Sequence, residues 1–249
     1  MVPNLPAHID FAYQTAKNLD HPILESHMGY FLLGSTSPDI RIITRRKRED
    51  YHFTQLDFEN MGESVEGMFT SYPELQSHSI QNEIAHAFVA GYITHLIADE
   101  RWIKDMYRRY FGNHSVFEDE TLGKVMDRAL QLELDHQSWD TVDDTLKLIE
   151  NATMDIQIGF ISSETLSDWQ KWVVAFLSQG FSWNRLKFLA RRIAKGDKDH
   201  PAHEVAMKFV DAMPISLQNL YQTIPLSSMK GYRDQTIQDM TIAIGDYLP

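Results

Sequence analysis

The sequence predicts an all-α fold, a multi-helix bundle, and three observations carry that reading. Apolar side chains recur at spacings of three and four along most of the 249-residue chain, the period of helices that turn one face to a core. Alternating apolar–polar runs, the mark of strands, are scarce. The longest periodic stretch, Ser77 to Tyr110, contains no proline and is closed by Gly112-Asn113, a helix-stopping pair.

The elements follow in order. Residues 7–19 place Ile9, Ala12, Tyr13 and Ala16 on one stripe. Pro22 suits the first turn of a second helix, which Gly34 would end. Residues 36–53 read as irregular, with one helical turn after Pro38, and 55–70 as a modest helix. After the long helix of 77–110, further helices fit 116–137, 141–153, 163–178, 182–195, 202–222 and 227–246. No stretch resembles a flexible linker, so residues 1–249 read as one all-helical domain. Its front part, 1–140, carries the chemistry, and 141–249 supplies helical packing. Trp169, Trp172, Phe176, Phe181 and Trp183 fall at helical spacing and are expected in the core.

Composition narrows the function classes. Hydrophobic residues make up 43% and charged residues 23%, as in soluble globular proteins. No apolar run approaches the ~18 residues of a membrane-spanning helix. The segment "MVPNLPAHIDFAYQ" has no basic or apolar leader region, so no signal peptide is expected and the cytoplasm is the expected compartment. There is no cysteine, which excludes disulfides and thiolate zinc sites and leaves His, Asp and Glu as metal ligands. A net charge of −12 opposes nucleic acid as a partner. Against it stands one basic run, Arg45-Arg46-Lys47-Arg48, preceded by Arg41; it is either a solvated loop or a local attractor of anions. Nothing in the sequence speaks to oligomeric state.

Histidine is abundant, with 11 residues, seven of them among the first 100. The sharpest pattern is "HAFVAGYITHLIADERW". His95 and Asp99 stand one helical turn apart and point the same way, a spacing that lets an imidazole and a carboxylate share an ion. Alone they could equally be a helix-surface pair. Their neighbours Val89, Ala90, Ile93, Leu96, Ile97 and Ala98 are apolar nearly all round, which marks a buried helix, and a buried carboxylate needs a cation or a strong partner. Gly91 lies on the same stripe and costs the helix about 1 kcal/mol relative to alanine. Close approach of another backbone or of a ligand would offset that cost. Trp102 falls on the same face, and His86 on the opposite one. Three further residues precede this helix: His8 in "PAH", Asp39 in "LGSTSPDI" after the restraining Pro38, and His52 in "YHF".

Those four motifs, in that order, resemble the zinc-dependent phospholipase C family over roughly residues 5–140. This family shares its all-α fold with a group of zinc-dependent single-strand nucleases. The resemblance implies a helical bundle of the zinc-dependent phospholipase C type, holding a cluster of up to three ions that activate water against phosphodiester bonds. It implies Asp39, His52, His95 and Asp99 as ligands of one ion, with Asp99 bridging to a second ion that His8 also holds. Secreted members use their N-terminal tryptophan as a ligand, whereas here Met1 lies seven residues before His8, so that ligand is expected to be missing. Secreted members also supply two His and a Glu after the His-x-x-x-Asp motif. The candidates for these are His114 and the pair Glu133 and His136, which share a helix face and are equally readable as a solvated pair.

One or two ions are therefore expected. Zinc suits the ligand set, and iron, manganese or nickel also fits it. Such an ion activates water near neutral pH, and a pair of ions clamps an in-line phosphoryl displacement. Asp39 is the expected general base, and Arg41 and Arg45 are candidates to attract the phosphate. The expected activity is phospholipase C-like, metal-dependent hydrolysis of phosphate esters, phosphodiesters before others, on a small molecule or a phospholipid headgroup. Two alternatives stand beside it. One is a non-catalytic helical protein with a structural metal. The other is a phosphohydrolase of another helical class, such as the HD type, although the chain has no His-Asp dipeptide.

Overall fold

The computed structural model describes residues 3–80, 82–112, 115–153 and 156–249. Among them the helices are α1 (Leu5–Leu19), α2 (Pro22–Ser26), α3 (Met28–Gly34), α4 (Arg41–Thr44), α5 (Glu49–His52), α6 (Glu63–Ser71) and α7 (Glu83–Arg101). They continue with α8 (Glu120–Gln137), α9 (Trp139–Glu150), α10 (Ser163–Leu177), α11 (Arg185–Ala194), α12 (Ala202–Asp211), α13 (Ile215–Thr223) and α14 (Leu226–Tyr247). No strand occurs among the described residues. The all-α expectation holds.

Helix α7 is the axis of the bundle, and every residue from His86 to Glu100 is buried. Its sequence dictates this, because no face of it is polar enough for water. Asn82 starts it by accepting the Ile84 N–H at 2.8 Å, and that cap, rather than Ser77, sets the first turn. Beyond Arg101 the chain widens into a π-helical segment, Trp102–Phe111. Helices α1, α3, α6 and α14 pack around α7, while α9 packs on α1, α3 and α10. One apolar core runs from Leu5 to Leu248 and joins front and back parts of the chain. Trp169 is fully buried in it, and Trp172, Phe176, Phe181 and Trp183 pack against it.

Three expected helices are interrupted. The 22–34 helix breaks at His27, which takes φ −127° between α2 and α3. The 202–222 helix breaks between α12 and α13, where Pro214 has no N–H to donate and ends the ladder. The 55–70 helix is confined to α6, whose N-terminus is set by a carboxylate from α7: Glu100 accepts Gly62 N–H at 2.5 Å and Ser64 N–H at 2.7 Å. In the segment read as irregular, a 3₁₀ turn spans Ser37–Ile40 and runs into α4. No described helix is long and apolar enough to cross a membrane.

Candidate metal centre

The site begins with two glycines that face each other. A Cβ on Gly91 would overlap the carbonyl oxygen of Phe31, and one on Gly34 would overlap that of Phe88. The absence of side chains at both positions lets α3 and α7 cross backbone to backbone. This contact carries the turn after Gly34 onto α7, where His95 Nδ1–H donates to the Ser35 carbonyl at 2.8 Å. With Nδ1 occupied, Nε2 is the free ligand atom. The hydroxyls of Ser35, Thr36 and Ser37 fold back on the carbonyls of Leu32 and Leu33 at 2.7–2.8 Å. Trp169 Nε1 donates to Thr36 Oγ1 at 3.0 Å, so α10 buttresses the turn. Asp39 follows in the 3₁₀ helix and stays partly exposed.

His52 ends α5, and the helix is pinned by Tyr92, whose hydroxyl donates to the Tyr51 carbonyl at 2.6 Å. His52 Nδ1 faces the Arg48 carbonyl at 3.3 Å, which again leaves Nε2 for the site. His8, in the first turns of α1, is fully buried. Its ring stacks on that of His95 with centroids 3.7 Å apart and planes 8° from parallel. Asp99 lies among all three imidazoles. Its Oδ1 is 3.4 Å from His8 Nε2, and its Oδ2 is 3.2 Å from His52 Nε2 and 3.7 Å from His95 Nε2.

The electrostatics suit a cation. Burial and the neighbouring His8 push His95 well below the usual imidazole range, so its ring is neutral. Burial pushes Asp99 up, but His95, His52 and His8 outweigh it and hold the carboxyl well below its ordinary value. Five buried atoms here have no hydrogen-bond partner: both nitrogens of His8, Nε2 of His52, Nε2 of His95 and Oδ1 of Asp99. Each such orphan costs about 1–3 kcal/mol if left unsatisfied. Donor atoms of His8, His95 and Asp99 lie within 4.8 Å of one another, as do those of Asp39, His52 and His95. Imidazoles and carboxylates at this density form a ligand set for zinc or a similar divalent ion.

The other candidates sit elsewhere. Glu133 and His136 make a pair at 3.5 Å with His136 56% exposed, and among the described residues they gather no third donor. Only His136 faces solvent; Glu133 is buried, and its Oε1 accepts from Gln137 Nε2 at 2.6 Å. His114 lies outside the described residues. Arg41 and Arg45 are exposed, and the member of that basic run that reaches the cluster is Arg48, whose Nη2 donates to Asp99 Oδ2 at 2.9 Å. Trp102 is fully buried and donates to Asp127 Oδ1 at 3.0 Å. Sequence reasoning missed Arg48 as a contact of Asp99 and Ser35 as the orienting partner of His95. Arg48 stood four residues before His52, the one-turn spacing that could have shown it.

A family model described as zinc dependent phospholipase C matches residues 7–183. The match takes in His8, Asp39, His52, His95 and Asp99, and extends through α10 and its Trp169. No curated protein and no solved structure matches the chain. With a family match over most of its length, and a buried His–Asp cluster inside that match, the chain belongs to the zinc-dependent phospholipase C family.

Proposed function

We propose that the protein is a zinc-dependent hydrolase of phosphate esters, acting on phosphodiesters. The two overlapping trios of close donors, His8–His95–Asp99 and Asp39–His52–His95, with buried imidazole nitrogens left unpartnered, carry this reading. Asp39, His52, His95 and Asp99 would hold one ion, and His8 with the free oxygen of Asp99 would contribute to a second. Bound there, zinc supplies a Lewis acid and lowers the pKa of water towards ~7; iron, manganese or nickel would serve the same set.

The residues do the rest. The Ser35 and Arg48 carbonyls hold His95 and His52 with Nε2 inward. Asp39, alone of the five residues in being partly exposed, is the one that solvent can reach, and its carboxylate would take the proton of the attacking water. A bond then forms from that oxygen to phosphorus while the bond to the departing alcohol breaks. A phospholipid headgroup and a small soluble phosphodiester both present this chemistry. The partial exposure of Asp39 favours catalysis over a structural ion, since structural sites are closed by protein ligands.

The test is Asp39→Asn, which keeps an oxygen donor and removes the base. Hydrolysis of a chromogenic phosphodiester should fall by roughly 10²–10⁴-fold, with zinc content by elemental analysis close to wild type. Full activity in the variant would remove Asp39 from the mechanism. A wild-type protein purified without chelators and free of metal would overturn the reading itself.

A further inference from the structure

Arg48 occupies a position that the ion-binding reading does not use. Its side chain is 14% exposed and lies against the buried Asp99. One N–H of the guanidinium goes to Asp99 Oδ2 at 2.9 Å and another to the Thr54 carbonyl at 3.3 Å. A guanidinium carries five N–H donors, so these two contacts fix its plane and leave donors for something else. Its main chain belongs to the site as well, because its carbonyl faces His52 Nδ1. Arg48 is thereby anchored from both ends against Asp99 and His52.

Charge shows what it is for. The protein as a whole carries −12, which repels an anionic substrate. Within the cluster, two carboxylates cancel one divalent ion, and imidazole ligands add no charge. A site with one ion and no arginine would therefore carry no net charge to add to the ion's own ligation of a phosphate. A second ion would supply it, but the protein donors left for that ion are few: His8 and the free Oδ1 of Asp99, among the described residues. Arg48 supplies a fixed positive charge on the same carboxylate that a second ion would share. Its planar fork also matches two oxygens of a phosphate, which a lysine cannot do.

We propose that Arg48 is the phosphate-binding residue of this site: held on Asp99, it supplies beside the ion the positive charge that a two-ion site takes from a second metal. This rests on the metal-site reading above and names its anion-binding group. The ligand chemistry is a tetrahedral phosphate oxyanion, whether of a lipid headgroup, a soluble ester or free phosphate.

The experiment titrates inorganic phosphate calorimetrically into zinc-loaded wild type, Arg48→Gln and Arg48→Lys, with elemental analysis of each protein beforehand. Arg48→Gln should keep its zinc and bind phosphate at least tenfold more weakly. Arg48→Lys, which keeps the charge and loses the fork, should fall between the two. Unchanged phosphate affinity in Arg48→Gln would overturn the proposal, as would a zinc-loaded wild type that binds no phosphate. Loss of zinc in both variants would also overturn it and make Arg48 a positioning residue for Asp99. A wild type without metal is seen before any phosphate is added, so failure of the metal reading is distinguished from failure of this one. Short-chain and soluble phosphodiesters as competitors then separate lipid from soluble sources.

Discussion

Asp99 and Asp135 are equally buried, each 1% exposed, and their chemistry is opposite. Asp99 has three imidazoles and an arginine around it and is held well below the ordinary carboxylate range. Asp135, near the end of α8, has the Asn4 amide at 2.9 Å. Burial raises it to about 8, with Asn4, Arg185 and the Ala7 backbone N–H pulling the other way. One carboxyl is charged and ready to ligate, and the other keeps its proton at neutral pH. Burial alone therefore does not mark a metal ligand. What marks it is the company of neutral donors whose own hydrogen-bonding capacity is left over.

The contrast breaks most visibly in metal content. Asp99→Ala removes the residue shared by all three imidazoles and should lose nearly all bound zinc and all phosphodiesterase activity. Asp135→Asn should keep both. Elemental analysis of the two variants beside wild type measures this directly. Full zinc in Asp99→Ala would show that the cluster is not the binding site.

The next effect tests how the cluster is assembled. Gly91→Ala places a methyl group against the Phe31 carbonyl, so α3 and α7 must separate. Overpacking of this kind costs about 1–3 kcal/mol, or a fall in Tm of roughly 2–12 °C at this chain length. Because the same contact brings Ser35 to His95, zinc affinity should fall too. Thermal denaturation with and without zinc reads both effects, and a variant as stable and as zinc-tight as wild type would remove the glycine crossing from the account.

That crossing also shows how far the sequence could be read. Gly91 inside an apolar helix signalled close approach, and the His-x-x-x-Asp spacing signalled a shared face; both are local properties of α7. Asp39, His52 and His8 were named from their order and context, and their donor atoms lie close to those of His95 and Asp99. The helix interruptions at His27 and Pro214 were not read, because the apolar period runs straight through them. Arg48 was hidden for another reason. Its contact spans 51 positions, and within a basic run any of four side chains could have turned inward. The roles of Ser35 and of Trp169, which supports the turn from α10, are likewise long-range: one is a main-chain carbonyl, the other an indole that read as core.

A test that leaves the cluster untouched sharpens the comparison from the Asp135 side. Unfolded, this carboxyl has its ordinary value near 3.8; folded, it titrates at about 8. Between those values the unfolded chain has lost the proton and the native one keeps it. The native state therefore binds more protons, and stability from this group is full at low pH and declines as pH rises through the window. This is the reverse of a carboxylate held in its charged form, which loses stability on acidification. Asparagine matches the neutral acid in shape and does not titrate, so Asp135→Asn should be stabilised relative to wild type, by a margin that grows from pH 5 to pH 8. Zinc binding has a pH dependence of its own, but it is common to both proteins and cancels in the difference between their Tm curves. Parallel curves would mean that Asp135 is ionised in the native state, with Asn4 and Arg185 compensating its burial, and the contrast with Asp99 would then rest on the imidazoles alone.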